Sequence, residues 1–288
     1  MRPAQGGRTM RAAIFGGPGA ITVGDRPYPV VVEPTDAVVR VALSSVCGTD
    51  VSPYRGESSF ELGPIGHEFV GVVEDVGTDV RAITRGDLVI APTAYSDGTC
   101  SHCRAGITSA CVAGGFWTVG GIDGGQGEAV RVPFADATLV RVPGSDHSDE
   151  TMRSLLTLAE RGDAAAEVVL ELSDGVGVDA ALECVGTVQS FATAVAVTRP
   201  GGMVGYVGVP HGVEVPIGTM FLRNIGLRGG AAPVRTYIPE LLDDVLEGRI
   251  DPGRVFEFET DLDGIAEAYA AMDERRSVKA LIRVGSAT

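Results

Sequence analysis

Apolar and polar positions alternate in two different ways along the chain. As far as about residue 142, short apolar runs are separated by turns rich in Gly, Pro and Asp, a pattern typical of antiparallel β-structure. This half is expected to form a barrel-like β-domain, with strands at 11–15, 37–43, 68–76, 88–91, 129–133 and 138–142.

From residue 149 onwards the pattern favours helices and then a βαβ order. Asp149 can cap a helix over 150–159, in which apolar residues recur at helical spacing. A second helix follows at 164–172, and alternating elements then predict pieces of a parallel sheet. The expected elements are strands at 178–184, 203–207, 226–229, 255–258 and 279–284, and helices at 189–197, 238–247 and 264–272.

Composition excludes several function classes. With 288 residues and 44% hydrophobic content the chain can bury a sizeable core. A net charge of −15 would repel phosphate backbones, so no nucleic-acid partner is expected. Apolar runs fall short of the roughly 18 to 20 residues that cross a bilayer, and no signal peptide precedes them. We therefore predict a cytoplasmic protein with no membrane partner.

Three of the five cysteines lie close together and suggest a metal site. Cys100 and Cys103 are three residues apart, Cys111 follows eight residues later, and Asp97 precedes Cys100 by three. Three thiolates and a carboxylate can converge on one tetrahedral zinc ion. Such a closed site stabilises a loop and does no catalysis. His102 competes with Asp97 as the fourth ligand, and a set of free thiols is the alternative.

A second group of candidate ligands lies in the β-domain. Cys47 and His67, each at the end of a predicted strand, supply two of the three protein ligands that a catalytic zinc requires. Asp50 could hold the other ring nitrogen of His67, and Thr49 could pass a proton from a zinc-bound alcohol. For the third ligand Glu68 is preferred, with His147 and His211 as remote candidates.

These motifs resemble one enzyme family in their content and order. Cys47-Gly-Thr-Asp50, Gly66-His-Glu68, Gly86-Asp-Leu-Val89, the cysteine loop and Gly124-Gly-Gln-Gly-Glu-Ala-Val130 occur in the order found in zinc-dependent medium-chain dehydrogenases. The resemblance runs from Met10 to the end and is greatest to the branch with formaldehyde, threonine and polyol dehydrogenases. Asp97 stands where most members have the first of four structural cysteines.

The resemblance implies an α/β fold and a reaction. It implies a GroES-like β-barrel catalytic domain (10–150 with 252–288) and a truncated Rossmann-type parallel-sheet domain (151–251), after an extension at 1–9 that is expected to be disordered. Zinc in such enzymes binds a small alcohol or aldehyde, and hydride passes to or from NAD(P). Cys47 and His67 correspond to two zinc ligands, Thr49 to the proton-carrying hydroxyl, and Glu68 to a carboxylate that approaches the metal. Gly186, Val207 and Gly208 correspond to the nicotinamide end of the cofactor site.

One part of the family pattern has no counterpart in this sequence. The predicted helices abut near Ala159, where family members carry the third zinc ligand and the Gly-x-Gly-x-x-Gly loop, whose N–H groups hold the cofactor's diphosphate. Residues 175–180 have a glycine pattern similar to that of this loop, but they follow a predicted helix and lead into a predicted strand, which is the reverse of the required order. A catalytically degenerate zinc-binding module or a deletion product is therefore the alternative to an active dehydrogenase. Homo-oligomers or pairing with a full-length relative are the expected assemblies.

Overall fold

The computed structural model describes residues 7–58, 60–120, 122–144, 147–157, 173 and 176–285. Two compact units divide the chain, one formed by 1–160 with 233–288 and the other by 161–232. Residues 233–251, which the sequence analysis assigned to the Rossmann-type domain, therefore fall in the first unit. The predicted helix at 164–172 and the junction near Ala159 lie outside the described residues.

Fifteen strands occur among the described residues, most of them close to the predicted positions. They are β1 (Thr9–Gly17), β2 (Ala20–Pro27), β3 (Ala37–Val46), β4 (Gly63–Pro64), β5 (Phe69–Val76), β6 (Leu88–Ala91), β7 (Ala94–Tyr95), β8 (Gly115–Phe116), β9 (Ala129–Val132), β10 (Val140–Arg141), β11 (Val178–Glu183), β12 (Thr198–Tyr206), β13 (Gly226–Gly229), β14 (Phe256–Asp261) and β15 (Lys279–Arg283).

The helices include several short ones that the hydrophobic pattern does not predict. The α-helices are α1 (Gly48–Tyr54), α2 (Ser101–Arg104), α3 (Ala135–Thr138), α4 (Asp149–Thr157), α5 (Val188–Val197), α6 (Ile217–Arg223), α7 (Val234–Leu246) and α8 (Ile265–Asp273), and 3-10 turns lie at Thr108–Ala110 and Pro252–Val255. None of the described helices is long and apolar enough to span a bilayer.

A seven-stranded sheet in the order β10-β6-β5-β3-β15-β14, with β9 also paired to β3, forms the centre of the first unit. All residues of β3 except Arg40 are buried, and its Val-rich sequence suits a strand with two covered faces. Gly71 lies against this strand, where an added Cβ would be 2.3 Å from the Arg40 carbonyl oxygen. Only glycine therefore allows β5 to approach β3 this closely.

The strand register brings the candidate site together. Ser44 of β3 pairs with Phe69 of β5, and Val46 pairs with Ala280 of β15. Cys47 follows β3 directly and His67-Glu68 precedes β5 directly, so these residues meet at one end of the sheet. Lys279, the first residue of β15, reaches the same end.

A buried aromatic cluster lies beside β5, near the loop that carries the three clustered cysteines. Trp117 is 2% exposed, packs edge-on against Phe69 with ring centroids 5.2 Å apart, and donates its Nε1–H to the Pro92 carbonyl. Burying such a side chain contributes about 1.5–3 kcal/mol. The core therefore fixes both the strand that follows His67 and the segment before Asp97.

Two sequence expectations for this unit are corrected by the structure. Residues 8 and 9, expected to belong to a disordered extension, are ordered, because β1 begins at Thr9 and the Arg8 guanidinium lies 3.5 Å from the Tyr28 ring centroid; residues 1–6 lie outside the described residues. The strand expected at 138–142 is limited to β10, since α3 precedes it. The Asp136 carboxylate accepts backbone N–H groups of Arg81 and Ala82, which holds that helical turn.

In the described part of the second unit, three parallel strands lie in the order β11-β12-β13. Helices α5 and α6 connect them, which agrees with the predicted βαβ order. Within the described residues β11 pairs with β12 alone, and its Leu182 side chain is 76% exposed. The expected homo-oligomers, or pairing with a full-length relative, stay a prediction.

Candidate metal centres

Cys47 occupies the turn between β3 and α1. It is the N-cap of α1, and its sulfur accepts hydrogen bonds from the backbone N–H and the hydroxyl of Thr49, with the hydroxyl 3.1 Å away. The Asp50 carboxylate accepts the Cys47 backbone N–H at 3.0 Å and completes the cap. Burial raises the pKa of the Cys47 thiol. A thiolate at this position therefore needs a cation beside it.

His67 is held from both ring nitrogens. Its Nδ1 lies 3.2 Å from Asp50 Oδ1, and its Nε2 lies 3.1 Å from the Thr49 hydroxyl. Burial alone would lower the pKa of His67, but the charge and hydrogen bond of Asp50 oppose this and the pKa is raised. The structure thus contains the predicted Asp50–His67 contact, and Nε2 is the nitrogen on the same side as Cys47.

Glu68 is a fully buried carboxylate with one oxygen paired and one bare. Oε2 accepts hydrogen bonds from Lys279 Nζ at 2.8 Å and from the Ser45 hydroxyl. Burial would raise the pKa of Glu68, but Lys279 and His67 lower it, so the group is ionised. Among the described residues Oε1 has no hydrogen-bond partner. An unpaired buried oxygen of this kind is costly, and a cation would satisfy it.

The ligand atoms of Cys47, His67 and Glu68 lie within 4.8 Å of one another. A thiolate, an imidazole and a carboxylate are all accepted ligands of zinc, and three protein ligands leave a fourth position for a substrate. The bare Glu68 oxygen and the converging donors therefore fit a zinc ion. Its role as a ligand stays a prediction.

The cysteine loop also converges on one point. Oδ1 of Asp97 lies 3.4 Å from the Cys103 sulfur and 3.2 Å from the Cys111 sulfur, and the Cys100 and Cys111 sulfurs are 4.0 Å apart. All four ligand atoms lie within 4.8 Å of one another. The set of three sulfurs and one carboxylate oxygen fits a closed tetrahedral zinc site.

The geometry of this loop favours Asp97 over His102 as the fourth donor. The Thr99 backbone N–H holds the pKa of Asp97 well below its usual range. The Cys103 backbone N–H lowers the pKa of Cys100 to about 7, whereas burial raises that of Cys103 to about 12. Within the described part of the chain, His102 is not among the side chains that converge with the three sulfurs.

The predicted nicotinamide-end residues lie together in the second unit, but their backbone donors are already used. The N–H groups of Val207 and Gly208 donate to the Glu183 carbonyl, and that of Gly186 donates to the Glu183 carboxylate. An added Cβ at Gly208 would be 2.3 Å from the Gly186 nitrogen. These glycines therefore allow close packing of two turns, and their cofactor role stays a prediction.

The remaining candidates are not brought to the Cys47 group. His147 lies in the first unit near Gly144, outside the described cluster of converging ligands. The backbone N–H of His211 donates to Gly186 in the second unit. Cys184 of the second unit is only partly buried.

Four buried residues of the site were missed by sequence reasoning: Ser45, Gln126, Tyr269 and Lys279. Lys279 is the only lysine among 23 lysine and arginine residues and directly precedes an apolar strand. That isolated position was a usable signal. Gln126 lies in the motif at 124–130, which gives it no role in the site, and Ser45 and Tyr269 had no signal, because these contacts depend on pairings between distant segments.

Comparisons with known proteins agree with this arrangement. Residues 33–144 match the alcohol dehydrogenase GroES-like domain family, and 106–247 match the zinc-binding dehydrogenase family. A probable zinc-binding alcohol dehydrogenase of Mycobacterium tuberculosis is 29% identical, over 92% of this chain and 86% of its own. A glutathione-independent formaldehyde dehydrogenase of Pseudomonas aeruginosa is 32% identical over 52% of this chain and 42% of its own. The solved alcohol dehydrogenase of Thermus sp. ATN1 is 26% identical, with a TM-score of 0.83 over 96% of this chain and 100% of that one.

The cysteine-loop site can be tested by changing its one oxygen donor. Asp97→Asn removes a charged donor, so zinc should pass from the loop to a chromogenic chelator faster than in the wild type. The zinc affinity of the loop should fall by at least about 10–100-fold, the loss typical when a hydrogen-bond partner of a metal ligand is removed. Asp97→Cys should retain zinc, since sulfur also suits the site. Asp25→Asn, an exposed carboxylate elsewhere, is the matched control. Unchanged transfer from Asp97→Asn, with faster transfer from His102→Ala, would contradict the assignment.

Proposed function

Since the chain belongs to the zinc-dependent medium-chain dehydrogenase family, we propose that Cys47, His67 and Glu68 hold a zinc ion that activates a small alcohol or aldehyde. The observation that carries this proposal is Glu68, a buried carboxylate whose ligand atom lies within 4.8 Å of those of Cys47 and His67 and whose Oε1 has no hydrogen-bond partner among the described residues. A buried charged oxygen without a partner is rare in folded proteins. A bound cation removes that cost, and Glu68 takes the place of the third ligand that the sequence lacks.

The chemistry follows from the positions of the neighbouring side chains. A zinc ion here would supply Lewis acidity, which lowers the pKa of an alcohol oxygen. The Thr49 hydroxyl, 3.1 Å from both the Cys47 sulfur and His67 Nε2, would act as a relay that takes the proton such an alcohol loses and releases its own to solvent, to which Thr49 is exposed. Asp50 accepts from His67 Nδ1 and so leaves Nε2 as the nitrogen that faces the metal.

Lys279 controls the position of the proposed carboxylate ligand. Its ammonium group is 5% exposed and holds Glu68 Oε2, while the Ser45 hydroxyl donates to the same oxygen. Because one oxygen is occupied, Glu68 can offer only Oε1, which makes it a monodentate ligand. The net charge of a thiolate, a carboxylate and Zn²⁺ is then close to neutral, which suits a buried site.

Metal analysis tests this proposal directly. Protein purified from zinc-supplemented cells should contain about two zinc ions per chain, one for each cluster. Cys47→Ser and Glu68→Gln should each reduce this to about one, because the loop site keeps its four ligands. Glu74→Gln, a carboxylate paired with Tyr28 and Arg8 elsewhere, should keep two. A value of about one in the wild-type chain would contradict the proposal.

A second candidate function concerns the cofactor. Family members transfer hydride with NAD(P), but this sequence has no Gly-x-Gly-x-x-Gly loop between a strand and a helix. The alignment with the mycobacterial relative extends over 333 positions, more than the 288 residues of this chain. The relative therefore has residues with no counterpart here. These observations are the basis of the second candidate, a zinc-binding family member whose hold on the dinucleotide is weak.

Titration with NADH and NADPH separates the two candidates. If the second candidate is correct, calorimetry on zinc-loaded protein should show no saturable binding below about 1 mM, which corresponds to a binding free energy of roughly 4 kcal/mol. The physical reason is that the amide groups of the Gly-x-Gly-x-x-Gly loop, which hold the diphosphate in the family, are not encoded. A dissociation constant in the micromolar range for either dinucleotide would overturn the second candidate and favour a working dehydrogenase. The solved relatives described as NAD-dependent or NADP-bound provide a positive control for the assay.

A further inference from the structure

We propose that Gln126, oriented by Tyr269, is a positioning residue that fixes Asp50 and thereby His67 for metal binding. The inference rests on the proposed zinc site at Cys47, His67 and Glu68, and it adds two residues that touch neither metal nor substrate. Both side chains are buried, Gln126 with 1% and Tyr269 with 0% of its surface exposed. They lie 143 residues apart in the sequence and meet beneath the site.

The hydrogen bonds of Gln126 leave its amide only one orientation. Its Nε2 donates to the Ser45 carbonyl at 2.9 Å and to Asp50 Oδ2 at 3.4 Å, and its Oε1 accepts the Tyr269 hydroxyl at 3.1 Å. Rotating the amide by half a turn would place Oε1 against two acceptors. The Tyr269 hydroxyl therefore holds the donor side of Gln126 towards Asp50.

Gln126 in turn decides which Asp50 oxygen is available to His67. Oδ2 accepts from Gln126 and from the Cys47 backbone N–H, so Oδ1 is left for His67 Nδ1. This division keeps the imidazole tautomer in which Nε2 has its lone pair free for a metal. Gln126 thus acts on His67 through the carboxylate between them.

A second contact links Gln126 to the same histidine. Gly66, which directly precedes His67, has a φ of +93°, and a Cβ added there would lie 2.5 Å from Gln126 Cγ. The Gln126 backbone is itself fixed, because its N–H donates to the Ile65 carbonyl and its carbonyl accepts from Ala13. The side chain therefore sets the position of the backbone that carries His67 as well as the orientation of its ring.

Packing alone does not require these polar groups. An apolar side chain of similar volume could fill the space of Gln126, and a phenyl ring could fill that of Tyr269, because Tyr269 already packs in an apolar cluster with Ile265 and Ala268. The donor and acceptor atoms of the pair are instead all directed to the site end of the sheet. Their arrangement serves the geometry of Asp50.

Cobalt binding to the full-length apoprotein tests the inference without relying on turnover. Under reducing conditions, protein-bound Co²⁺ gives absorption bands in the visible and near-ultraviolet range. The bands that disappear in Cys47→Ser report the proposed catalytic site, and the bands that remain report the cysteine loop. Gln126→Met should weaken cobalt affinity at the Cys47 site by about 10–100-fold and shift its visible band. Tyr269→Phe should produce a smaller loss in the same direction.

The double variant gives the sharpest readout. If Tyr269 acts only through Gln126, then Gln126→Met with Tyr269→Phe should lose no more affinity than Gln126→Met alone. Affinity at the cysteine loop should be unchanged in every variant. The matched control, Tyr28→Phe, removes a hydroxyl bonded to Glu74 far from the site in the fold and should bind cobalt as the wild type does.

Several results would overturn the inference. One is a Gln126→Met variant that binds cobalt at the Cys47 site as tightly as the wild type does. Another is a double variant in which the affinity losses of the two single variants multiply. A third is an equal loss of cobalt affinity at the cysteine loop. If Gln126→Met does not fold, Tyr269→Phe alone decides, because it removes a single oxygen atom. A wild-type chain with no Cys47-dependent band would instead refute the proposed zinc site, an outcome distinct from the others.

Discussion

A buried charge that is only half compensated lies at the end of the sheet where Cys47, His67 and Glu68 meet. Glu68 has a cation on one oxygen, Lys279, and no hydrogen-bond partner on the other among the described residues. Desolvating an ion pair is costly, and leaving one oxygen bare adds to that cost. Such an arrangement is stable only in a fold that holds it rigidly, and it gains most from a bound cation. In the proposed site, Cys47 and His67 would supply the remaining donors for that cation.

The rigidity comes from strand register. The chain's only lysine is placed beside Glu68 because β15 pairs antiparallel with β3, and Glu68 itself is placed because β5 pairs with β3 at Gly71. A shift of one residue in either pairing would turn these side chains to the other face of the sheet. Segments from the beginning, middle and end of the first unit are thus combined at one point. The cysteine loop, in contrast, is formed by a single short segment.

This difference explains how much of the site the sequence could reveal. The loop ligands Asp97, Cys100, Cys103 and Cys111 are local, so their spacing alone predicts a converging set, and the structure brings them together. The Asp50–His67 contact was predictable from two short motifs. Gln126 and Tyr269 were not, since each contact depends on long-range pairing that hydrophobic periodicity does not encode. Helix α1 was not predicted from the sequence, because its N-cap is a cysteine, which is an unusual capping residue.

Anomalous diffraction at the zinc absorption edge, from crystals of zinc-loaded protein, tests the central claim most directly. The account predicts two peaks per chain, one in the cysteine loop and one about 2.0–2.3 Å from the Cys47 sulfur, His67 Nε2 and Glu68 Oε1. A single peak in the loop, with Glu68 still held by Lys279 and no metal near Cys47, would contradict it.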